Sequence, residues 1–337
     1  MTGARRAWPV ALAVALIACA AASVFIGARP TVPAEVLAVL RDGPSAATAA
    51  TSVFGDLAHV VWELRVPRTI LGLAVGASLA MAGAIAQTWT RNPLADPGII
   101  GITSGAGFAV AAGMTVGLAG SFARAPLAVA GAAAAALIVF GASRASADPL
   151  TLILVGVGAS AAFTAATTLL ALQSHAVLDG MRQWTVGSLS GRGTGDAALA
   201  VGGLVLGAAV AAAFARSMDL LAMGDDAAAG LGASPGAIRA AMLVAVVVLA
   251  GAATAAVGPV AFVGFAAPHL IRPLTGPSLV RLLPAAAAAG AAQTVFADVA
   301  GRMVLRPGEI EVSIVLALVG APLFVYAVRK GEHRACR

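Results

Sequence analysis

The chain has little charge, almost no lysine and hardly any cysteine, and each shortage removes a class of protein. Only 11% of its 337 residues are charged, while 60% are hydrophobic and mean hydropathy is +0.95. A soluble domain cannot hide that much apolar surface from water, so lipid is the solvent this chain needs. Lys330 is the single lysine, close to the C-terminus, so there is no GxxxxGK phosphate loop and the chain has no ATPase site of its own. Cys19 and Cys336 stand at opposite ends and match no metal-ligand spacing. The histidines, His59, His175, His269 and His333, are dispersed and form no HExxH pair. Ser174, His175 and Asp179 are neighbours in sequence, which is not triad geometry, and they read as a polar loop. The net charge of +6 is carried by arginines spread through loops without a nucleic-acid motif, which argues against nucleic acid as a partner.

What the chain does have is long apolar runs. Uncharged windows of roughly 18 residues or more recur along it, each long enough to cross a hydrocarbon core as a helix. Barrel strands alternate apolar and polar residues, whereas residues 7–28 are apolar all round, so the expected class is all-α. Charged and Pro/Gly breaks delimit ten spans: 7–28, 66–89, 99–118, 126–143, 150–172, 197–215, 237–257, 259–270, 282–299 and 312–328. The eighth is short and bounded by Pro259 and Pro268, which suits a broken or partial helix lining protein. Arg5 and Arg6 ahead of Leu16 to Cys19 also resemble a removable lipoprotein leader, but the run continues uncharged to Ala28, which favours a retained span.

A basic N-terminus inside and an even number of spans return Arg329, Lys330, Arg334 and Arg337 to the cytoplasm. On that topology Arg65, Arg68, Arg302 and Arg306 lie outside near span ends, where they either snorkel to headgroups or meet an acidic partner. Residues 29–64, outside, mix Glu35, Asp42, Asp56 and Glu63 with apolar positions and predict short amphipathic helices at the interface. Residues 216–236, inside, predict a short acidic helix bracketed by glycines. Glycines four apart, at 72 and 76, 101 and 105, and 187 and 191, are expected to serve close helix packing. Asp298 stands four residues before Arg302, the spacing of an ion pair on one helix face. Acids inside spans are otherwise nearly absent, which points away from a proton-coupled carrier and towards an external energy source.

Residues 65–107 contain, in order, an Arg-x-Pro-Arg start, a small-residue helix, Asn-Pro-Leu-Ala-Asp-Pro-Gly, and a Gly/Ser-rich helix. This segment resembles the permease family of ABC importers for iron-siderophore complexes, haem and vitamin B12. The resemblance continues through 220–232, 258–272, 297–303 and 309–326. It implies a polytopic permease of the type II ABC importer fold, a single transmembrane domain over 1–337 with a cytoplasmic coupling segment at 216–236. It places Arg65, Arg68 and Arg302 at the docking face for an extracytoplasmic substrate-binding protein. It likewise places Asp219, Leu220, Gly224, Asp225, Asp226, Gly230, Leu231 and Gly232 in the contact with an ATPase subunit, Gly224, Gly230 and Gly232 allowing tight turns. Asp148, Pro149, Leu150 and Thr151 align with an inner gate, where Pro149 and Leu150 leave a polar or a hydrophobic constriction open.

The partners implied are two ATPase subunits that hold the ATP and Mg, a binding protein, a second permease copy or paralogue, and the bilayer. No cofactor is expected on this chain itself. The cargo implied is a ferric siderophore, with cobalamin and haem as alternatives. The rivals from other classes are an ion-coupled secondary transporter and a non-transporting scaffold.

Overall fold

In the computed structural model, residues 4–44, 55–118, 121–143, 149–221 and 223–335 are described. They are helical almost throughout and contain no strand. The chain opens with α1 (Ala4–Phe25), α2 (Pro33–Asp42) and α3 (Gly55–His59), which runs through one π-helical stretch (Val60–Arg65) into α4 (Val66–Trp89). Then come α5 (Ile102–Thr115), α6 (Ser121–Ser143), α7 (Pro149–Gln173), α8 (His175–Thr185), α9 (Thr194–Leu221) and α10 (Asp225–Gly230). The last four are α11 (Pro235–Val257), α12 (Val263–Thr275), α13 (Leu279–Val304) and α14 (Val312–Ala335).

Each of the ten predicted spans corresponds to a helix. Among the described residues, seven helices are long and apolar enough to cross a membrane, and α5 and α14 add shorter apolar stretches. The short helices have local causes. α5 is only 14 residues long because Pro97 and a left-handed Gly101 delay its start. α12 has 13 residues, and Gly258 and Phe262, both at positive φ, break the helix between α11 and α12. Its first residues, Val263 to Pro268, are buried, as expected of a broken span whose irregular backbone must be covered by protein.

The bundle is built around α4. Of its most apolar window 89% is buried, against 6% for α1 and 6% for α7, so α4 is the axis and α1 and α7 are outer helices. Glycines allow that centrality. A methyl group at Gly76 would sit 2.2 Å from the carbonyl oxygen of Gly290 on α13, and one at Gly83 would sit 1.9 Å from that of Gly264 on α12. No side chain fits there, so the backbones of α4, α13 and α12 touch directly. Gly187 also allows a close approach, since a methyl group there would sit 2.0 Å from the carbonyl oxygen of Pro259, whereas Gly191 faces open space. Both lie in the loop after α8 at φ +67° and +68°, where glycine is needed for the turn itself.

Two polar stretches are helices. Residues 33–42 form α2, whose Val36 and Val39 pack on Ala58 and Val61, while Trp62 donates its indole N–H to the carbonyl of Val39 at 3.3 Å. The sequence reading of 174–179 as a polar loop is corrected: His175 opens α8. Val177, Met181 and Trp184, spaced four and three apart, form its buried stripe and leave Asp179 and Arg182 outside.

Candidate functional site

The polar side chains gather at the two ends of the bundle. At the end where α4 and α9 finish and α13 begins, Arg91 reaches the carbonyl of Leu221 at 3.3 Å and Arg272 donates to the Gln87 side chain at 3.1 Å. Gln87 in turn donates to the carbonyls of Gly264 and Phe265 at 3.3 and 3.4 Å, fixing α12 against α4. Asp219 on α9 accepts from the Ser278 hydroxyl and from the Leu279 amide, both at 2.7 Å. The start of α13 has no side-chain cap of its own, so Asp219 caps it from another helix and places a carboxylate at the positive end of its dipole.

Beyond Asp219 the chain leaves the bundle as α10. Gly224 (φ +112°) and Gly232 (φ +81°) turn it out and back, as predicted. Gly230 makes no such turn, since it ends α10 with no positive φ and only open space around it. Ala228 is fully buried and pins the helix, whereas Met223 and Leu231 are 63% and 62% exposed on either side of it. Asp226 is exposed, and Asp225 pairs with Arg239 of α11 at 2.5 Å. The result is a small projecting surface, apolar at its flanks and acidic at its first turn.

The opposite end is closed. α1 finishes there without a basic residue in its last turn, so its terminal carbonyls need donors from elsewhere. Arg65 donates to the carbonyls of Val24 and Phe25 at 3.0 and 3.2 Å, to that of Arg29 at 3.1 Å and to the Thr31 hydroxyl at 3.0 Å. Arg302 donates to the carbonyls of Ser23 and Ile26 at 3.1 and 3.0 Å and to the Ser23 hydroxyl at 2.8 Å. Arg302 also pairs with Asp298 at 2.8 Å, the four-residue pair expected from sequence. Arg68 takes the other side of Asp298 at 2.6 Å and reaches Glu309 at 2.8 Å.

These contacts place two of the three expected docking arginines inside the chain. Arg65 is 5% exposed and Arg302 is 2% exposed, and their donors are committed inside the chain. They cap α1, and Arg302 also balances Asp298. Of the three arginines, Arg68 is the most exposed, at 14%, and its partner Glu309 is 25% exposed. Position and charge were legible in the sequence; the demand of the α1 terminus was not, although its uncapped, uncharged last turn was a usable signal.

Of the proposed gate, Asp148 lies outside the described residues. Pro149 and Leu150 form the first turn of α7, and Thr151 follows, half-buried. Among the described residues, no group of three or more His, Cys, Asp or Glu side chains is placed to hold a metal ion.

The chain is similar to the ferric enterobactin transport system permease protein FepD of Escherichia coli, with 37% identity over 94% of this chain and 92% of that one. It is 36% identical to the cobalamin import system permease protein BtuC of Halobacterium salinarum, over 96% of this chain and 89% of that one. Among solved structures it resembles a metal-chelate type ABC transporter in an inward-facing conformation, with a TM-score of 0.83 and 28% identity over 95% of this chain and 98% of that one. Residues 15–330 match the FecCD transport family; the chain belongs to that family and is a permease subunit of an ABC importer.

Proposed function

We propose that this permease carries a ferric siderophore or a similar iron chelate across the cytoplasmic membrane, with both its termini in the cytoplasm. The observation that carries the reading is the likeness, along nearly the whole chain, to a permease for ferric enterobactin. The pathway forms between this chain and a second permease, a copy or a paralogue. Two ATPase subunits, which hold the nucleotide and Mg, grip α10 through Met223, Leu231 and the acidic first turn. Their movement passes to α13 through Asp219, since that carboxylate holds the start of α13 while the far end of the same helix carries Asp298 and Arg302. A 26-residue helix spans ~39 Å, so a rigid α13 links the two faces of the membrane. At the outer face Arg68 and Glu309 form the contact for a loaded binding protein, with Arg65 and Arg302 as positioning residues behind them. The start of α7, residues 149–151, serves as the inner gate.

The likeness to a cobalamin permease, at 36% identity, supports cobalamin as a second reading. Uptake separates the two. In a strain lacking this permease, restoring it should restore accumulation of labelled ferric catecholate or hydroxamate chelates and leave cyanocobalamin uptake unchanged; the reverse pattern would replace iron with cobalamin. Accumulation of either cargo in liposomes holding this chain alone would overturn the ATP-driven mechanism itself.

A further inference from the structure

From the end where α13 begins, a groove of about 270 Å³ runs between α1 and α13. Its cause is covalent. Pro9 lies inside α1 and Pro284 inside α13, and both line the groove. Each proline lacks an N–H and pushes its ring at the preceding turn, so the two helices cannot close on each other at this level. Small residues such as Ala288 leave the floor empty, while Trp8 and Leu12 form one wall.

The lining is apolar except for one residue. Arg281, in the first turn of α13, stands at one end of the groove and is exposed. No carboxylate pairs with it among the described residues, and Asp219, which caps the same helix, gives its oxygens to Ser278 and Leu279. From Arg281 to Ala288 the groove follows ~10 Å of helix towards the middle of the bundle. α1 is an outer helix whose neighbouring positions Val10, Val14 and Ile17 are 65%, 60% and 68% exposed, so the groove opens onto hydrocarbon.

We infer that this groove is a binding site for an anionic phospholipid, its acyl chain lying between α1 and α13 and its phosphate on Arg281. An unpaired guanidinium at the level of a tryptophan, above a narrow apolar slot, matches such a lipid in both halves: phosphate at the interface, methylenes below. A non-helical protein segment would bring unpaired carbonyls and amides into a slot with no polar group to receive them below Arg281. The site is independent of which cargo the permease carries.

The full-length chain, purified in mild detergent, would be titrated with dioleoyl phosphatidylglycerol or dioleoyl phosphatidylcholine, and retained lipid counted by native mass spectrometry. Phosphatidylglycerol should be retained about fivefold over phosphatidylcholine, the preference expected of one arginine near the surface. Arg281→Ala should abolish the preference, Arg281→Lys should keep most of it, and Ala288→Phe should expel both lipids. A second measurement leaves Arg281 and Ala288 in place: brominated phosphatidylglycerol should quench the Trp8 component of the fluorescence, isolated as the difference from Trp8→Phe, more than brominated phosphatidylcholine does. Equal retention of the two lipids, a preference that survives Arg281→Ala, or equal quenching of Trp8 would each overturn the assignment. So would cross-linking of Ala288→Cys to a second copy of the chain in place of lipid binding.

Discussion

The two ends of the bundle use the same residue types for opposite purposes. At the end where α1 terminates, Arg65, Arg302 and Asp298 are at most 5% exposed, and their charges are spent on each other and on the last carbonyls of a neighbouring helix. At the end where α13 begins, Asp225 and Arg239 pair while 35% and 24% exposed, and α10 stands off the bundle between two glycines at positive φ. Burial makes the first set a clamp, because an ion removed from water must keep its partner. Exposure makes the second set exchangeable, because a pair in water costs little to break, and this suits the contact proposed for an ATPase subunit. The proposed mechanism uses that asymmetry: a fixed frame around α1, α4 and α13 and a surface for an ATPase subunit to move.

The comparison breaks first at Asp298. Asp298→Ala leaves two guanidiniums, Arg68 and Arg302, without their shared counter-charge, and the expected loss is about 3–5 kcal/mol. Thermal unfolding of the detergent-purified chain would measure it; a loss below ~1 kcal/mol would mean that water already reaches the cluster. Next comes Gly83→Val, which forces side-chain atoms into the carbonyl of Gly264 and should cost about 1–3 kcal/mol through separation of α4 from α12. Asp219→Ala removes the cap of α13 and should cost about 1 kcal/mol, with a fall in transport per ATP hydrolysed in the assembled importer. If transport per ATP stays constant, α13 is not the link between the two ends.

What was legible in the sequence follows the same division. Span positions came from apolar runs, because a lipid-exposed helix has to be apolar over its full length whatever it packs against. The Asp298 and Arg302 pair came from spacing on one helix, and the turns at Gly224 and Gly232 from local backbone demands. The roles of Arg65 and Arg302 were not legible, since they depend on where the end of α1 arrives, more than 35 residues away from Arg65 and more than 270 from Arg302. The helix α8 was hidden for another reason. Its stripe is only Val177, Met181 and Trp184, too short to outweigh the polar residues between them until Trp184 packs beside Gly107.

The smallest expected change in stability carries the most functional weight. Arg239→Ala removes the partner of Asp225 in a pair open to water, so the chain should lose only about 0.2–1 kcal/mol and its unfolding should be close to that of the parent. Yet Asp225 and Asp226 form the first turn of α10, and Arg239 is what holds that turn against α11. With the arginine gone, α10 keeps Ala228 as its main anchor and can swing about its glycines, so movement of an ATPase subunit is absorbed at the hinge before it reaches Asp219. Transport per ATP should therefore fall several-fold while assembly and basal hydrolysis persist, and Arg239→Lys should recover most of it. A variant that couples normally would place the grip elsewhere on the 216–236 segment; one that loses both stability and assembly would make this end of the bundle a clamp like the other.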